Sequence, residues 1–220
     1  MKVIAFTGPK YSGKGTAGAV LHTMNQEFLD TLSPRTAELS YDLPFRFGLH
    51  TKMAAGVKRI CAEMFGFTTE EMEDPSLKET VHSDWGFAPR DPMMDIANWL
   101  RDKYGGDIHA KRWNRLNADP EFKGAVAMDD LRFPDDELPM LRQHDCLVLY
   151  VQRDSAERSL LAAQASGDIR ALNPSERHYL RLKEEADIIL DNNGTIQHLH
   201  NQVLTAIKNR WGHWNYWGVE

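Results

Sequence analysis

The loop Gly8-Pro9-Lys10-Tyr11-Ser12-Gly13-Lys14-Gly15-Thr16 is the most informative stretch of the chain. It follows the apolar run 3–7, and apolar residues recur at helical spacing from 17 to 28. This pattern predicts a buried strand, a tight loop and a helix. Glycines let successive N–H groups converge on one anion at a helix start, and Lys14 adds a positive charge for phosphate groups. The sequence therefore predicts a phosphate-binding loop; the alternative is a glycine turn that only joins strand to helix.

One position of this loop departs from the general phosphate-loop motif. The motif has Ser or Thr directly after its lysine, where the hydroxyl binds magnesium. This chain has Gly15 at that position, and the hydroxyl follows at Thr16. Switch GTPases and motor ATPases depend on the direct hydroxyl ligand, so the departure disfavours both classes. A loop that ends Gly-Lys-Gly-Thr resembles those of nucleoside monophosphate kinases, which implies Mg²⁺ held largely through water.

Composition excludes several other classes of protein. The 220 residues include 26 Lys/Arg and 32 Asp/Glu, a net charge of −6, and there is no basic run. An acidic chain is repelled by phosphate backbones and anionic lipids, so neither nucleic acid nor a membrane is an expected partner. No apolar stretch reaches the about 18 residues of a membrane helix, and no signal-peptide core is evident. We expect a soluble cytoplasmic protein with reduced, buried thiols at Cys61 and Cys146.

Apolar runs alternate with helical patterns along the chain, which predicts an α/β fold with a mostly parallel sheet flanked by helices. The predicted strands are five, at 3–7, 37–40, 125–128, 146–151 and 187–190. The second and third strands are separated by far more residues than one crossover helix needs. We therefore predict a single domain, 1–220, whose parts are a core (1–40, 121–151, 186–220), a helical insert (41–120) and an arginine-rich cover (152–185).

Further blocks, taken in order, resemble the phage deoxynucleoside monophosphate kinases. They are Ser40-Tyr41-Asp42-Leu43-Pro44-Phe45-Arg46, Pro89-Arg90, Asp130-Leu131-Arg132-Phe133-Pro134, Ser175-Glu176, Ala186-Asp187-Ile188-Ile189 and Asn192-Asn193-Gly194-Thr195. The resemblance spans nearly the whole chain and implies a P-loop NTPase fold. It also implies transfer of the ATP γ-phosphoryl group to a deoxynucleoside 5′-monophosphate (dNMP), with Mg²⁺, for DNA synthesis; the compartment is the host cytoplasm if the source is viral.

The resemblance also implies roles for individual residues. The residues expected to bind ATP are Lys10, Tyr11, Ser12, Gly13, Lys14, Gly15, Thr16, Asn192 and Asn193. The expected catalytic residues are Lys14, Arg132, Asp130 and Arg153. Asp130 would orient magnesium waters or hold Arg132, with Asp129 as the less favoured candidate and a helix N-cap as the alternative for both. Asn192 and Asn193 would lie beside adenine, or form a turn.

The acceptor site is predicted from basic residues. The expected set is Arg46, Lys58, Arg90 and Arg132. Arg46 and Lys58 fit the family pattern about equally well, and a solvated charge before a helix is the alternative for Arg90. Glu176 matches the family, but Asn173-Pro174-Ser175-Glu176 is also a capping box, which is the favoured interpretation.

Two other functions stay open at this point. One is a kinase for another small phosphorylated acceptor, such as phosphomevalonate, whose animal enzymes resemble the same family. The other is an ATP-binding module without transfer activity. The sequence does not fix the base of the acceptor, and it leaves a homodimer open; the aromatic tail 211–217 is expected to be buried against the sheet or a partner subunit.

Overall fold

The predicted apolar runs form a parallel β-sheet. The structure, a computed structural model, describes residues 1–21, 50–118, 125–168 and 173–212. Its strands are β1 (Lys2–Thr7), β2 (His50–Thr51), β3 (Ala125–Met128), β4 (Asp145–Gln152) and β5 (Ile188–Asp191). They lie in the order β2-β3-β1-β4-β5, and each neighbouring pair is parallel. Four strands make up the body of the sheet, and β2 adds two residues at one edge.

Four of the predicted strands are confirmed. The runs 3–7, 125–128, 146–151 and 187–190 correspond to β1, β3, β4 and β5 within one residue at each end. The strand predicted at 37–40 lies outside the described residues. The α/β class and the parallel sheet are therefore confirmed. The full set of five predicted strands stays a prediction.

Helices connect the strands. Among the described residues they are α1 (14–21), α2 (Ala55–Phe65), α3 (Thr69–Glu73), α4 (Arg90–Tyr104), α5 (Ile108–Asn117), α6 (Leu138–Leu141), α7 (Asp154–Ala165), α8 (Pro174–Arg177), α9 (Tyr179–Glu184) and α10 (Ile196–Trp211), with a 3₁₀ turn at Leu77–Glu79. Within these ranges, no helix combines the length and the apolar character that crossing a bilayer requires.

Both faces of the sheet are covered because side chains alternate along each strand. On one face, alternate residues of β1, β3 and β4 form a core with α1 and α10. On the other face, Tyr150 of β4 packs with Leu160 of α7 and Tyr179 of α9. Since the strands are parallel, the loops that follow β1, β3 and β4 leave the same edge of the sheet, where α/β proteins bind ligands.

The chain divides into two compact units. The first comprises Met1–Thr51 and Leu116–Glu220 and contains the sheet; the second is Lys52–Arg115. The second unit is helical and contains α2, α3, α4 and most of α5; residues of α2, α3 and α4 pack in and against a core of Val57, Cys61, Phe67 and Met72. A capping box starts α3, where Thr68 Oγ1 accepts from Glu71 N at 3.2 Å and Thr68 N donates to Glu71 Oε2 at 2.7 Å.

The two cysteines are free thiols in buried positions, as predicted. Burial is the largest cause that raises the pKa of the Cys146 thiol, to about 12. A thiol with so high a pKa carries almost no thiolate at neutral pH and is chemically inert. Cys146 therefore acts as a small apolar side chain within β4.

Substitutions at two adjacent leucines of α7 can test which side of this helix is buried. Leu160 is 7% exposed and Leu161 is 51% exposed. We expect Leu160→Ala to lower the free energy of unfolding by about 2–5 kcal/mol, because it leaves a cavity beside Tyr150 and Tyr179. Leu161→Ala removes the same atoms from an exposed position and is expected to change that free energy by less than about 0.5 kcal/mol. Urea titration measures both, and equal losses would contradict this placement of α7.

Candidate functional site

The glycine-rich loop, residues 8–13, makes a tight turn between β1 and α1. Positive φ angles occur at Gly8 (138°), Tyr11 (65°) and Gly13 (96°), and Tyr11 is the one non-glycine residue of the described chain with such an angle. Ser12 N donates to Pro9 O at 3.2 Å. The first N–H groups of a helix have no partner within the helix, so α1 presents donors at the end of this loop. The predicted succession of strand, loop and helix is therefore present.

The glycines at both ends of the loop have no room for a side chain. A Cβ at Gly8 would lie 2.6 Å from Val151 O, and one at Gly13 would lie 2.2 Å from Asn192 Nδ2. The Asn192 amide donates to Ser12 O at 2.7 Å. Asn192, predicted beside adenine, is thus brought against the loop itself by the end of β5.

Asn193 contacts the start of α7. Its Oδ1 accepts from Asp154 N at 3.0 Å, and its own amide groups donate to Asp191 Oδ1 at 2.9 and 2.7 Å. These bonds connect the end of β5 to the helix that follows β4. Asn192 and Asn193 therefore fix the segment between β5 and α10 to two neighbouring structural elements.

Lys14 lies under the loop. It is 8% exposed, and its Nζ donates to Gly8 O at 2.9 Å and to Pro9 O at 2.7 Å. Burial lowers the pKa of Lys14 well below its ordinary value, and the charge of Arg132 lowers it further. Glu176, Asp129 and Asp130 oppose that shift, because each raises the pKa of Lys14. A further anion beside Lys14 would act in the same direction.

Arg132 reaches the same carbonyl as Lys14. It follows β3, and its Nη1 donates to Gly8 O at 3.0 Å. The backbone around it is fixed by Glu137, whose Oε2 accepts from Arg132 N at 2.7 Å and from Phe133 N at 3.0 Å. The prediction that Arg132 and Lys14 lie at one edge of the sheet is therefore supported by a shared contact.

Glu176 also contacts the loop, which the sequence did not predict. Its Oε2 accepts from Lys10 N at 3.1 Å, and its Oε1 lies 3.3 Å from Arg132 Nη1. The residue is only 6% exposed. Asn173 caps the helix, since its Oδ1 accepts from Ser175 N at 3.0 Å, but the Glu176 carboxylate, which would complete the predicted capping box, contacts Lys10 N and Arg132. No local pattern indicates the contact with Lys10, which lies 166 residues away in sequence.

Asp129 and Asp130 follow β3 and are half-buried. A Cβ at Gly15 would lie 3.6 Å from Asp129 Oδ2, so this carboxylate lies beside the start of α1. Carboxylate oxygens are the ligand type that Mg²⁺ accepts in protein sites, usually together with waters and substrate phosphates. The two aspartates therefore fit the predicted water-mediated Mg²⁺ site, and Asp129 is the one placed at Gly15.

The remaining predicted loop residues differ in exposure. Ser12 is fully buried, and its Oγ has no hydrogen-bond partner among the described residues. Gly15 and Thr16 are exposed, and Thr16 O is 3.0 Å from His200 Nε2 of α10. The Lys10 ammonium lies 4.7 Å from the centroid of the Tyr11 ring. An exposed rim thus surrounds a buried loop interior.

Two predicted basic residues are not among these contacts. Arg153 is exposed at the N-terminus of α7, and none of the loop contacts described above involves it. Arg46 lies outside the described residues. Their assigned roles stay predictions.

The second unit contains a separate group of four cations, Lys52, Lys58, Lys78 and Arg90, which we call the basic cluster. Lys52 Nζ lies 2.8 Å from Glu73 Oε2, Lys58 pairs with the same carboxylate, and Arg90 Nε lies 2.9 Å from Glu79 Oε1. Sequence reasoning predicted Lys58 and Arg90 and missed Lys52 and Lys78. These two lie on either side of α2 and α3 in sequence, so no spacing pattern connects them.

Electrostatic coupling places Lys78 within this cluster. Burial is the largest cause that lowers the pKa of Lys78, to about 8, followed by the charges of Lys58 and Arg90. Glu73 acts in the opposite direction. The four cations outnumber Glu73 and Glu79, the two carboxylates that pair with them in the contacts described above, although the whole chain is acidic.

Comparison of the chain with protein-family models and with curated proteins gives no match. The function therefore has to be argued from the residues of the loop and of the basic cluster.

The contact between Asn192 and the loop can be tested at Gly13. Gly13→Ala and Gly167→Ala both place a side chain at positive φ, which costs about 1–2 kcal/mol. No described atom lies within 4 Å of a Cβ at Gly167, whereas a Cβ at Gly13 would displace the Asn192 amide from Ser12 O. We expect Gly13→Ala to lower the free energy of unfolding by about 1 kcal/mol more than Gly167→Ala, through the lost hydrogen bond. Equal losses in urea titrations would contradict the contact.

Proposed function

We propose that this protein transfers the γ-phosphoryl group of ATP to a deoxynucleoside 5′-monophosphate, giving ADP and a deoxynucleoside diphosphate for DNA synthesis. The main support is that Lys14 Nζ and Arg132 Nη1 both donate to the carbonyl oxygen of Gly8, inside a glycine-rich loop that precedes a helix. The proposal includes a P-loop NTPase fold with a sheet of five full strands and a cytoplasmic location. The sequence blocks that resemble the phage kinases support it.

The first unit would bind the donor nucleotide. A triphosphate chain needs N–H donors and cations together, and the loop supplies both. Lys14 and Arg132 would move from carbonyl partners to phosphate oxygens, since an anionic acceptor forms the stronger hydrogen bond. Mg²⁺ bound near Asp129 and Asp130 would neutralise part of the phosphate charge.

The basic cluster of the second unit would bind the phosphate of the acceptor. Lys58 and Arg90 were predicted for this role from the sequence, and Lys52 and Lys78 join them. A phosphate monoester is close to a dianion above pH 7, because its second pKa is near 6. The local excess of positive charge is suited to such a group and not to an uncharged nucleoside.

Transfer between two phosphates depends mainly on positioning and on neutralising charge. An oxygen of the acceptor phosphate attacks the γ-phosphorus, and the bond from that phosphorus to the bridging oxygen breaks. The electron pair stays on the β-phosphate of ADP, so no proton has to be removed from the acceptor dianion. Lys14 and Arg132 would stabilise the negative charge on the transferred group and on ADP, with Arg153 as a further cation.

A coupled assay for ADP formation tests the proposal. We expect turnover with at least one of dAMP, dCMP, dGMP and dTMP, in preference to phosphomevalonate, and expect Lys14→Ala to reduce kcat by about a hundredfold or more. Lys208→Ala, which removes an exposed lysine from the end of α10, is the control and is expected to match the wild type. Absence of turnover with all deoxy and ribo monophosphates, in folded protein, would refute the proposal. Turnover with phosphomevalonate alone would favour that acceptor.

The pH dependence of the acceptor step tests the basic cluster. With a pKa of about 8, Lys78 is charged below that pH and loses its charge above it. We therefore expect kcat/KM for the dNMP to fall as the pH rises through about 8, because the acceptor dianion binds best to protonated Lys78. Lys78→Gln should raise the KM for the dNMP about tenfold at pH 7, which is the loss expected for a charged hydrogen bond. In this variant, kcat/KM should also fall less steeply as the pH rises through about 8.

The control for that measurement is Lys103→Gln, which changes an exposed lysine in the last turn of α4. This variant should keep both the KM and the pH profile of the wild type. An unchanged profile in Lys78→Gln would show that Lys78 does not contact the acceptor.

A further inference from the structure

The geometry points to Glu176 as an internal anion that occupies the donors of the glycine-rich loop and competes there with the phosphate chain of the nucleotide. The inference deepens the proposed function and rests on it for the identity of the ligand. It assigns a regulatory contact to a residue for which the sequence favours a role in a helix cap.

Glu176 contacts two donors of the kind that bind phosphate groups. Glu176 Oε2 accepts from the backbone N–H of Lys10 at 3.1 Å, inside the loop. Its two oxygens lie 3.3 and 3.4 Å from Arg132 Nη1, the same nitrogen that donates to Gly8 O. A loop N–H and an arginine fork are the donors that proteins use for phosphate oxygens. A carboxylate is thus bound where the loop is built to bind an anion.

The ion pair of Glu176 and Arg132 is largely removed from solvent. Glu176 is 6% exposed, and Arg132 has a side chain that is 20% exposed. A carboxylate removed from water is tolerated only when it is paired and hydrogen-bonded. Glu176 meets that condition through the loop, so its position depends on the donors that it occupies.

Glu176 brings a negative charge close to Lys14 and Arg132. Glu176 raises the pKa of Lys14, as Asp129 and Asp130 do, so the buried lysine already has a nearby carboxylate. A phosphate group that approached Lys14 and Arg132 would meet Glu176 as a like charge, which is unfavourable at short range. The carboxylate and a phosphate therefore exclude each other from these donors.

The consequence is a link between the loop and the segment that contains α8. Entry of a phosphate would release Glu176 from Lys10 and Arg132 and with it the short helix that carries it. In the absence of nucleotide, Glu176 would keep the loop and Arg132 in place. The negative charge would reduce the intrinsic affinity of the loop for phosphate.

Binding of inorganic tripolyphosphate, measured by isothermal titration calorimetry on the full chain, tests the inference without any phosphoryl transfer. We expect Glu176→Gln to bind tripolyphosphate at least tenfold more tightly than the wild type and to lower the KM for ATP. Glutamine keeps an oxygen that accepts from Lys10 N but carries no charge. A residue that only holds Arg132 in position would give the opposite sign, weaker binding in the variant.

Glu185→Gln is the matched control. Glu185 lies nine positions further along the same segment and pairs with Arg181 at 2.7 Å, away from the loop. This variant removes one negative charge and one arginine partner, and it is expected to leave the affinity for tripolyphosphate unchanged. Equal tightening in both variants would mean that net charge alone is responsible and would overturn the inference.

Each of the other outcomes of the titration also supports or overturns the inference. Equal or weaker binding in Glu176→Gln, or no binding in either protein, overturns the inference. If Glu176→Gln does not fold, Glu176→Asp is the second variant, because the shorter side chain withdraws the carboxylate from Lys10 N. It should bind tripolyphosphate at least threefold more tightly than the wild type, and an unchanged affinity overturns the inference.

Tighter binding of tripolyphosphate by Glu176→Gln, in a protein that forms no ADP with any acceptor, would refute the proposed function and leave the inference standing. Turnover in the wild type, together with an unchanged affinity of Glu176→Gln for tripolyphosphate, would support the proposed function and overturn the inference.

Discussion

The carbonyl oxygen of Gly8 is the point on which the candidate site depends. It accepts from Lys14 Nζ at 2.9 Å and from Arg132 Nη1 at 3.0 Å, so two cations from different parts of the chain meet at one atom. A buried lysine and a half-buried arginine repel each other, and only shared acceptors and nearby carboxylates make the arrangement stable. Glu176 offsets part of this repulsion, because its carboxylate raises the pKa of Lys14 and pairs with Arg132.

This electrostatic balance also explains how the site stays compact. Three carboxylates, those of Asp129, Asp130 and Glu176, raise the pKa of Lys14 against the effects of burial and of Arg132. Glu137 adds rigidity, because it fixes the backbone N–H groups of Arg132 and of Phe133.

Local patterns in the sequence predicted the parts of this site that depend on neighbouring residues. The glycines of the loop and the strand before it belong to a short motif whose spacing has a physical cause, whereas Arg132 was predicted from a family resemblance and from its position at the end of β3. Glu176, Lys52 and Lys78 could not be predicted in the same way, because their contacts join residues that are distant in sequence. The bond between Lys10 N and Glu176 spans 166 positions, and only the folded chain brings the two together.

The two units differ in how they balance charge, and that difference bears on the acceptor. In the first unit, the carboxylates of Glu176, Asp129 and Asp130 interact electrostatically with Lys14 and raise its pKa. In the described part of the second unit, the basic cluster forms ion pairs with Glu73 and Glu79, and burial, followed by the charges of Lys58 and Arg90, lowers the pKa of Lys78. An uncharged hydroxyl acceptor would leave that repulsion in place, whereas a phosphate dianion removes it. The cluster would therefore suit the proposed acceptor, which carries a phosphate, better than an uncharged nucleoside.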